Sequence, residues 1–388
     1  MNYSSTMSKK KIAIFIHALK QGGAQKIASV LINELQSNYD LHLVLFKPGE
    51  IVYQIPETTK IYYLGNSGSP LGFVKNIFAF KRFCQEHQIE VALSLITQPN
   101  YIGILSKWIG NRTKIIVSEH TYQSLWRANE RIYPILKKRI INLLYNRADA
   151  IVTVSKKIKE DLNKNFAVKE QLLKVIYNPY DIDQIQQRAE EEVTDYSFEG
   201  KQTIVTVGTM YHVKNQELLI RAFAGLKRKD TQLLLVGDGE LRHSLEALAM
   251  SLGVEDRVTV LGFTSNPFKY VSKSDVFVLS SNNEGLPNVI IEALAAGCPV
   301  VSTDCISGPR EILAPGTSLE HQLENKIEYA PYGILVPIKN EAKMTQALTE
   351  ILEQENLREE YRSKTLSRAM DFKAEISLAS YAELIENI

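Results

Sequence analysis

The sequence predicts an α/β protein with two doubly wound parallel-sheet domains. Its length, 388 residues, is long for one domain and sufficient for two, each with its own core. Short β-branched runs alternate with helical patterns almost from end to end, which is typical of βαβ units. Residues 184–200, which are polar, acidic and without a strand pattern, separate two series of such runs and are predicted to be the interdomain linker.

We predict one strand for each of these apolar runs, in the order in which they occur in the sequence. Ligands bind at the carboxyl ends of strands in doubly wound sheets, so the cleft between the domains is the expected active site. Residues 1–183 are assigned to the N-terminal domain and 201–365 to the C-terminal domain, and a helix at about 366–388 is expected to complete the first. The predicted strands are 12–18, 41–46, 91–96, 115–118 and 150–155 in the first series, and 203–208, 232–237, 257–262, 275–280 and 300–303 in the second.

Composition restricts the class of protein. With 45% hydrophobic and 23% charged residues and no long polar or repetitive tract, the chain should fold throughout. Three scattered cysteines, Cys84, Cys298 and Cys305, indicate neither a disulfide framework nor a zinc site, and they fit a reducing cytosol. The apolar run after Lys11 is too short for a signal peptide or a membrane span, so no membrane-spanning segment is expected.

The net charge of +1 conceals an asymmetry along the chain. Residues 1–180 contain 25 Lys and Arg against 12 Asp and Glu, which leaves 20 against 32 for the remainder. The two parts therefore carry about +13 and −12. This asymmetry predicts an anionic partner for the first part: a membrane surface, a lipid diphosphate or nucleic acid. No nucleic-acid-binding motif accompanies the charge, so nucleic acid is not an expected partner.

The most informative segment is residues 282–301, which follow a hydrophobic strand. The segment breaks at Gly285, places Pro287 where a helix can begin, and continues as an apolar helix that ends at a glycine. The helix start presents free backbone N–H groups at a positive dipole end, which suits sugar hydroxyls and a diphosphate. Glu284 and Glu292 flank this start, and a carboxylate can accept two hydroxyls. An isolated pair of glutamates at this spacing is more often two solvated surface residues, and it is the surrounding pattern that favours a ligand-binding role here.

This segment resembles the Glu-x7-Glu motif of family 4 retaining glycosyltransferases, which have the GT-B fold of two Rossmann-like domains facing a cleft. Residues 302–313 and 332–337 are similar to family segments in the same order, so the resemblance covers nearly the whole chain. It implies that Glu284 contacts the hexose of a nucleotide-sugar donor and Glu292 the ribose. The other donor-binding residues implied in this half are Gly262, Phe263, Gly285, Leu286, Pro287 and Asn288.

Residues 207–215 are similar to the family's glycine, arginine and lysine phosphate motif. By this resemblance, Gly208, Thr209 and Lys214 contact the donor, and Lys214 neutralises the departing diphosphate. A preorganised cation at that place is worth roughly 100- to 1000-fold in rate. Thr209 stands where arginine is usual, so either Lys214 acts without that partner or another cation substitutes. Arg310 is the candidate substitute, and a structural role is its alternative.

Two features of the first half are predicted to face the donor or the acceptor. Gly22 and Gly23 follow the first strand and open a helix, and paired glycines let a ligand approach backbone amides, although plain connectors also use them. His120 ends another strand at the ligand-binding edge, where a structural histidine is the alternative. The family resemblance implies that the glycine loop faces the donor phosphate and the acceptor. It also makes His120 a catalytic candidate beside Glu284 and Lys214, positioning the donor sugar or the acceptor hydroxyl.

No metal and no permanently bound cofactor is expected. Residues 181–183 spell the Asp-x-Asp pattern of metal-dependent transferases, but they follow residues 175–179, which resemble the interdomain crossover. Residues 237–240 are interpreted as a turn at the edge of the cleft. The resemblance implies a front-face reaction in which the leaving diphosphate takes the proton of the incoming hydroxyl. The donor is expected to be a UDP-sugar that carries a hexose or an N-acetylhexosamine.

The acceptor is predicted from residues 125–147, which mix apolar and basic residues in a helical pattern, as residues 73–83 do more weakly. Such helices can lie in a membrane interface, where each basic residue gains about 1 kcal/mol near anionic lipid, or they can cover the sheet. Together with the family's many lipid-linked acceptors, they predict a peripheral protein on the inner face of the cell membrane. Its expected acceptor is an undecaprenyl-diphosphate-linked glycan for a surface polysaccharide or glycoprotein. The alternatives are a small soluble acceptor, a non-catalytic nucleotide-sugar-binding protein and a nucleotide-sugar epimerase.

Overall fold

A computed structural model of the chain describes residues 9–20, 22–65, 69–125, 133–320 and 322–388. The chain divides into two compact units. The first comprises the residues up to Pro179 together with Glu375–Ile388, and the second comprises Tyr180–Ala374. Each unit is built on a seven-stranded sheet.

The sheet of the first unit is entirely parallel. Its strands are β1 (Lys11–Phe15), β2 (Asp40–Leu45), β3 (Lys60–Tyr63), β4 (Val91–Leu95), β5 (Lys114–Glu119), β6 (Ala150–Thr153) and β7 (Leu173–Val175). They are arranged in the order β3-β2-β1-β4-β5-β6-β7. Strands β1, β2, β4 and β5 are buried almost throughout, because apolar side chains occupy both faces of a sheet that helices cover on each side.

Helices cover this sheet, and local sequence explains where two of them begin. Ser69 accepts a hydrogen bond from the amide of Gly72 over 3.1 Å, and Ser155 accepts one from the amide of Ile158 over 3.2 Å, so each serine caps the helix that follows it. The helices are α1 (Gly23–Leu35), α2 (Pro70–Glu86), α3 (Thr97–Trp108), α4 (Tyr133–Tyr145) and α5 (Lys156–Phe166).

The second unit repeats this architecture with one antiparallel edge. Its strands are β8 (Gln202–Val207), β9 (Thr231–Val236), β10 (Val258–Gly262), β11 (Val276–Leu279), β12 (Val300–Thr303), β13 (Glu328–Ala330) and β14 (Gly333–Val336). The order is β10-β9-β8-β11-β12-β14-β13, and only β13 runs antiparallel to its neighbour. In both units the strand order reverses beside the first strand, which is the place where doubly wound sheets bind ligands.

The helices of the second unit enclose a core that includes Leu219, Phe223 and Leu348. They are α6 (Ile182–Ala189), α7 (Gln216–Ala224), α8 (Arg242–Ser251), α9 (Phe268–Ser272), α10 (Asn288–Ala295), α11 (Pro309–Leu313), α12 (Glu341–Glu353) and α13 (Glu355–Met370). The last helix, α14 (Ala374–Asn387), belongs to the first unit except for its first residue. There, Tyr381 and Ile385 join the core around β1, β2 and β4.

The boundary between the units differs from the predicted one. The segment interpreted as a linker begins within α6, where Ile182, Ile185 and Ala189 are buried at helical spacing. Polar residues between these three conceal the pattern in the sequence. The compact units instead divide between Pro179 and Tyr180, and the C-terminal segment of the first unit begins at Glu375 rather than near residue 366.

Candidate active site

Lys214 and Glu284, both predicted from the sequence, lie together in the second unit. Lys214 lies on the loop after β8 and Glu284 on the loop after β11, and these strands are neighbours in the sheet. The Lys214 Nζ is 2.7 Å from Glu284 Oε1, and the Ser281 hydroxyl donates to the same oxygen over 2.6 Å. The lysine side chain is 26% exposed and the glutamate 10% exposed. This shielding strengthens the pair relative to an ordinary surface ion pair.

Hydrogen bonds fasten the lysine loop to the glutamate loop. The amide of Asn282 donates to the carbonyl of Val213 over 2.8 Å, and the Ser280 hydroxyl donates to the carbonyl of Lys214 over 2.9 Å. These bonds fix the backbone that carries the lysine, and the contact with Glu284 holds its ammonium. An ammonium has three N–H donors. One is directed at Glu284, so two can serve phosphate oxygens.

A third loop, which follows β12, holds the backbone of Glu284. The Glu284 amide donates to the carbonyl of Ile306 over 2.8 Å, and the Ser307 amide donates to the carbonyl of Glu284 over 2.9 Å. Gly308 follows with a φ of +101°, and a Cβ there would lie 2.3 Å from Cδ of Pro287. Only glycine allows this loop to pass so close to the glutamate loop.

Helix α10 begins directly after the glutamate loop. Pro287 stands at its N-cap and supplies no side-chain acceptor, so no side chain caps the first turn of the helix. These amides and the helix dipole favour hydroxyl oxygens and anions at this end. Leu286 is 7% exposed and anchors the loop, and the side chain of Asn288 accepts a hydrogen bond from the Tyr180 hydroxyl over 2.6 Å. The structure thus gathers the predicted residues Gly285 to Asn288 at one helix start.

Glu292 lies within α10 and is 8% exposed. It lines a small pocket together with Val207, Phe268 and Val289. Since Val207 ends β8 and directly precedes Gly208, the second glutamate lies close to the start of the predicted phosphate loop.

Glycines allow the ends of β8, β9 and β10 to approach one another. The amide of Gly237 donates to the carbonyl of Gly262 over 2.8 Å. A Cβ on Gly237 would lie only 2.0 Å from the carbonyl oxygen of Gly208, so no larger residue fits there. Thr209 is exposed, and Phe263 is 57% exposed. The predicted donor-binding residues of these three strands therefore lie along one edge of the sheet.

Arg310 does not replace the missing arginine at position 209. Its buried guanidinium donates to both carboxylate oxygens of Asp304, at 3.1 and 2.8 Å, and to both of Glu328, at 3.2 and 2.9 Å. A fifth bond reaches the Thr317 hydroxyl over 3.3 Å. These contacts occupy all five N–H donors of the side chain. Arg310 is therefore a structural arginine, the alternative that the sequence left open.

The glycine loop of the first unit connects β1 to α1. Gly22 precedes α1 and Gly23 is its first residue, and the helix has no side-chain cap. The Gly22 amide donates to the hydroxyl of Tyr53, which in turn donates to the Gly22 carbonyl, each over 3.0 Å. Tyr53 thus fixes this loop. The sequence carries no signal for that role, because 31 positions separate the two residues.

His120 follows β5 at the carboxyl edge of the first sheet. Burial lowers the pKa of His120 to about 4, so the ring is neutral near pH 7. The Ser118 hydroxyl lies 3.0 Å from its Nε2. The neighbouring Glu119 is fully buried and accepts hydrogen bonds from the Tyr145 hydroxyl over 2.6 Å and the Thr121 amide over 2.9 Å. These bonds hold the turn that carries the histidine, while burial raises the pKa of the Glu119 carboxyl.

The Asp-x-Asp pattern serves local structure. The Asp181 carboxylate accepts from the amide of Gln184 over 2.8 Å and so caps α6, while Asp183 lies 3.1 Å from the ammonium of Lys373. In the parts of the chain that the structure describes, no group of three or more His, Cys, Asp or Glu side chains could hold a metal ion.

Comparison with known proteins matches both halves of the chain. Residues 21–184 match the Glycosyltransferase Family 4 model, and residues 187–368 match the Glycosyl transferases group 1 model. The N-acetylgalactosamine-N,N'-diacetylbacillosaminyl-diphospho-undecaprenol 4-alpha-N-acetylgalactosaminyltransferase of Campylobacter jejuni is 35% identical over 370 residues, which cover 94% of this chain and 96% of that protein. A second Campylobacter jejuni relative is 25% identical over 97% of this chain and 99% of its own length. It is the GalNAc-alpha-(1->4)-GalNAc-alpha-(1->3)-diNAcBac-PP-undecaprenol alpha-1,4-N-acetyl-D-galactosaminyltransferase.

Solved structures resemble this chain over nearly its whole length. The crystal structure of Anabaena HepE in complex with UDP has a TM-score of 0.80 and 19% sequence identity to it, covering 97% of this chain and 100% of that one. This similarity confirms the predicted fold class, two Rossmann-like sheets of the GT-B type. The identity to the first Campylobacter relative extends over nearly the full length of both proteins. The chain therefore belongs to the family 4 glycosyltransferases.

Proposed function

We propose that this glycosyltransferase moves an N-acetylhexosamine or a hexose from a UDP-sugar to a sugar hydroxyl of a glycan carried on undecaprenyl diphosphate. In this proposal the transfer retains the configuration of the sugar and requires no metal ion. The observation that carries the proposal is the contact between Lys214 and Glu284 beside the uncapped start of α10. This arrangement places an ammonium that can bind a diphosphate beside a carboxylate and a helix N-terminus that can bind a sugar.

In the proposed complex, Glu284 and the amides at the start of α10 bind the donor sugar, and Glu292 binds the ribose. Lys214 keeps one N–H on Glu284 and directs the other two at the diphosphate. As the bond between the anomeric carbon and the diphosphate oxygen breaks, negative charge accumulates on the phosphate. A cation that is already in place stabilises this charge, which is worth roughly 100- to 1000-fold in rate.

The proposed transfer is a front-face substitution. The acceptor hydroxyl oxygen bonds to the anomeric carbon on the face from which the diphosphate departs, and its proton passes to a diphosphate oxygen. Glu284 already accepts two hydrogen bonds on one oxygen, which favours a binding role over that of a base. The names of both Campylobacter relatives specify alpha linkages. Transfer from an α-linked UDP-sugar to an α-linked product is retention.

The proposed acceptor class rests on these relatives. Both are named for substrates on undecaprenol, and the first is 35% identical over nearly the whole of this chain. The lipid would place the reaction at a membrane. No helix among the residues that the structure describes is long and apolar enough to cross one. The proposal therefore places the contact on the surface of the first unit, at the inner face of the cell membrane.

The proposed membrane contact, here called the α2–α4 surface, consists of the exposed apolar and basic side chains of α2 and α4. Helix α3 contacts both of these helices. On α2, Leu71, Val74 and Phe78 are 75%, 49% and 57% exposed, and their spacing places them on one stripe. Among the described side chains of α4, the exposed apolar ones are Ile135, Leu136, Ile140 and Leu143, and the exposed basic ones are Lys138 and Arg139. Arg147, which is also exposed, lies two residues beyond the end of α4 and is included in this surface.

The chemistry of the α2–α4 surface favours an anionic membrane over simple coverage of the sheet. A helix that only covers the sheet exposes polar residues, whereas α4 exposes apolar side chains between basic ones. Trp108, at the end of α3, is 47% exposed, and the guanidinium of Arg147 lies 5.9 Å from the centre of its ring. Tryptophan and arginine are suited to the headgroup region. Residues 126–132 of the predicted interfacial stretch lie outside the described residues.

A donor screen tests the proposed reaction. Purified protein is incubated with UDP- and GDP-sugars in EDTA, and released nucleotide is measured with and without bacterial lipid extract. We expect release from one donor that rises with lipid extract and is lost in Glu284→Ala. Glu217→Ala is the matched control, because Glu217 is an exposed carboxylate on the same unit, paired with Arg221. Nucleotide binding without release from any donor would favour the non-catalytic nucleotide-sugar-binding alternative, and absence of both release and binding would refute the proposed donor.

Vesicle co-sedimentation tests the membrane contact and the soluble-acceptor alternative. We expect the protein to bind vesicles containing anionic lipid at low salt, and to lose this binding in the double variant Phe78→Gln/Leu136→Gln. Met250→Gln, which changes a residue that is 67% exposed on the second unit, should bind as the wild type does. Equal binding to neutral and anionic vesicles would refute the electrostatic part of the contact. No binding to either would favour a soluble acceptor.

A further inference from the structure

A buried tyrosine fastens the start of α10 to the segment where the chain enters the second unit. Tyr180, the first residue of that unit, is 3% exposed, and its hydroxyl donates to Oδ1 of Asn288 over 2.6 Å. Asn288 is the first residue of α10, and no side chain caps the first turn of this helix. The bond from Tyr180 therefore restrains the end of the helix that the proposed function assigns to the donor sugar.

The backbone of the same tyrosine joins the segment where the chain leaves this unit. The Ala374 amide donates to the carbonyl of Tyr180 over 2.8 Å, and Tyr180 pairs with Lys373 in an isolated parallel bridge. The chain passes between the units after Pro179 and again after Ala374. Tyr180 thus connects both of these passages to the start of α10, through its backbone on one side and its hydroxyl on the other.

Helix packing supports this connection along the rest of α10. The helix contacts α6, which begins two residues after Tyr180, and α13, which ends three residues before Lys373. Packing of this kind holds the body of a helix, whereas its first residue has fewer neighbours and frays more readily. A hydrogen bond to a buried hydroxyl is shielded from water, so it can hold this first residue in one position.

We infer that Tyr180 is a positioning residue that acts through Asn288 to hold the start of α10 for the donor sugar, and that it links donor binding to both passages of the chain between the units. This inference rests on the proposed function, in which Glu284 and the amides at the start of α10 bind that sugar. The sequence carries no signal for the role of Tyr180, because 108 positions separate it from Asn288.

Calorimetry of donor binding tests the positioning role. The ligands are UDP and UDP-N-acetylgalactosamine, or the UDP-sugar identified in the donor screen, without acceptor. We expect Tyr180→Phe to weaken binding of the UDP-sugar roughly 2- to 10-fold, since it removes one neutral hydrogen bond. Binding of UDP, which lacks the sugar, should weaken less. Asn288→Ala should have at least as large an effect, and adding Tyr180→Phe to it should change little, because both substitutions remove the same contact.

Tyr270→Phe is the matched control. Tyr270 is 1% exposed in the same unit, and its hydroxyl donates to the carboxylate of Asp195. Its loss should leave both affinities as in the wild type, and thermal denaturation verifies that each variant folds. Unchanged affinity of Tyr180→Phe for the UDP-sugar, equal weakening for both ligands, or additive losses in the double variant would overturn the positioning role.

Hydrogen exchange of the Ala374 amide tests the link to the passages of the chain. If breaking the bond between Ala374 and Tyr180 also releases the start of α10, a donor that binds the intact arrangement should slow this exchange, by up to about 100-fold at 100 times Kd. The slowing should be smaller in Tyr180→Phe at equal saturation. Exchange that ignores the donor in the wild type would overturn the link. Failure of the wild type to bind either ligand would instead overturn the proposed donor, and with it the positioning of a donor sugar.

Discussion

Replacing Lys214 by methionine measures what the ammonium contributes to the reaction. The substitution removes the Nζ that lies 2.7 Å from Glu284 Oε1 and forms an ion pair with that carboxylate. We expect kcat to fall roughly 100- to 1000-fold. The donor KM should change less, because the charge on the leaving diphosphate is greatest in the transition state. Steady-state measurement of UDP release in the presence of a lipid-linked acceptor gives both values.

The same substitution should also lower stability by a calculable amount. Glu284 is 10% exposed and would keep the Ser281 hydroxyl but lose its cation. Leaving such a carboxylate without its charged partner costs about 1–2 kcal/mol when the pair is partly exposed. For a unit of this size each kcal/mol lowers Tm by about 2–4 °C. The expected loss of roughly 2–8 °C is small enough for the variant to remain folded at 25 °C.

A double variant separates the two effects. Lys214→Met/Glu284→Gln replaces the ion pair with neutral groups, so it should recover most of the lost Tm but none of the lost activity. Arg221→Met is the matched control, since it breaks an exposed pair with Glu217 on α7 and should leave kcat unchanged. If Lys214→Met keeps kcat within about threefold of the wild type, the proposed role of the ammonium is refuted.

Three further predictions concern the loops and one titration. Gly308→Ala should weaken UDP binding in calorimetry because its Cβ collides with the glutamate loop. The control Gly316→Ala, also at positive φ but with no atom within 4 Å of its Cβ, should bind UDP as the wild type does. Equal UDP affinities of the two variants would contradict the predicted collision. Arg310→Gln should lower the free energy of unfolding, measured by chemical denaturation, by about 3–5 kcal/mol because it breaks a buried network of ion pairs. Arg228→Gln, whose partner is exposed, should lower it far less. Similar losses in the two variants would contradict the stabilising role of the Arg310 network. Because the pKa of His120 is lowered to about 4 from 6.5, the unfolded chain binds its proton more readily, so stability should fall as pH decreases from about 6.5 to about 4. In His120→Asn the denaturation midpoint should change less with pH over this range than it does in the wild type. An unchanged pH dependence would contradict the assignment of the lowered pKa to His120.

The fold was predictable because its central strands are continuous apolar runs. All ten predicted strands are present, and β12 has the predicted bounds, Val300–Thr303. The four strands that were not predicted are β3, β7, β13 and β14, each of three or four residues. β3 is an edge strand whose sequence, Lys-Ile-Tyr-Tyr, is partly exposed and lacks an apolar run. Short and edge strands depend on their neighbours for pairing, which local sequence does not reveal.

The site was predictable where a motif follows a strand, and unpredictable where it depends on side-chain pairing. Glu284 and Lys214 both follow strands that lie side by side, so strand order brings them together. The bonds between Tyr53 and Gly22 join residues that are 31 positions apart in sequence. Similarly, the structural role of Arg310 follows from its contacts with Asp304, Glu328 and Thr317, which the sequence does not reveal.

The most direct test of the account is the linkage formed in a defined reaction. The purified enzyme is supplied with UDP-N-acetylgalactosamine, or with the donor identified in the screen, and an undecaprenyl-diphosphate-linked glycan in EDTA. The product is then analysed by mass spectrometry and proton NMR. We expect a glycan extended by the donor sugar through an α linkage, with one UDP released for each sugar transferred. A β linkage would contradict retention, and UDP release with an unmodified glycan would contradict transfer to this class of acceptor.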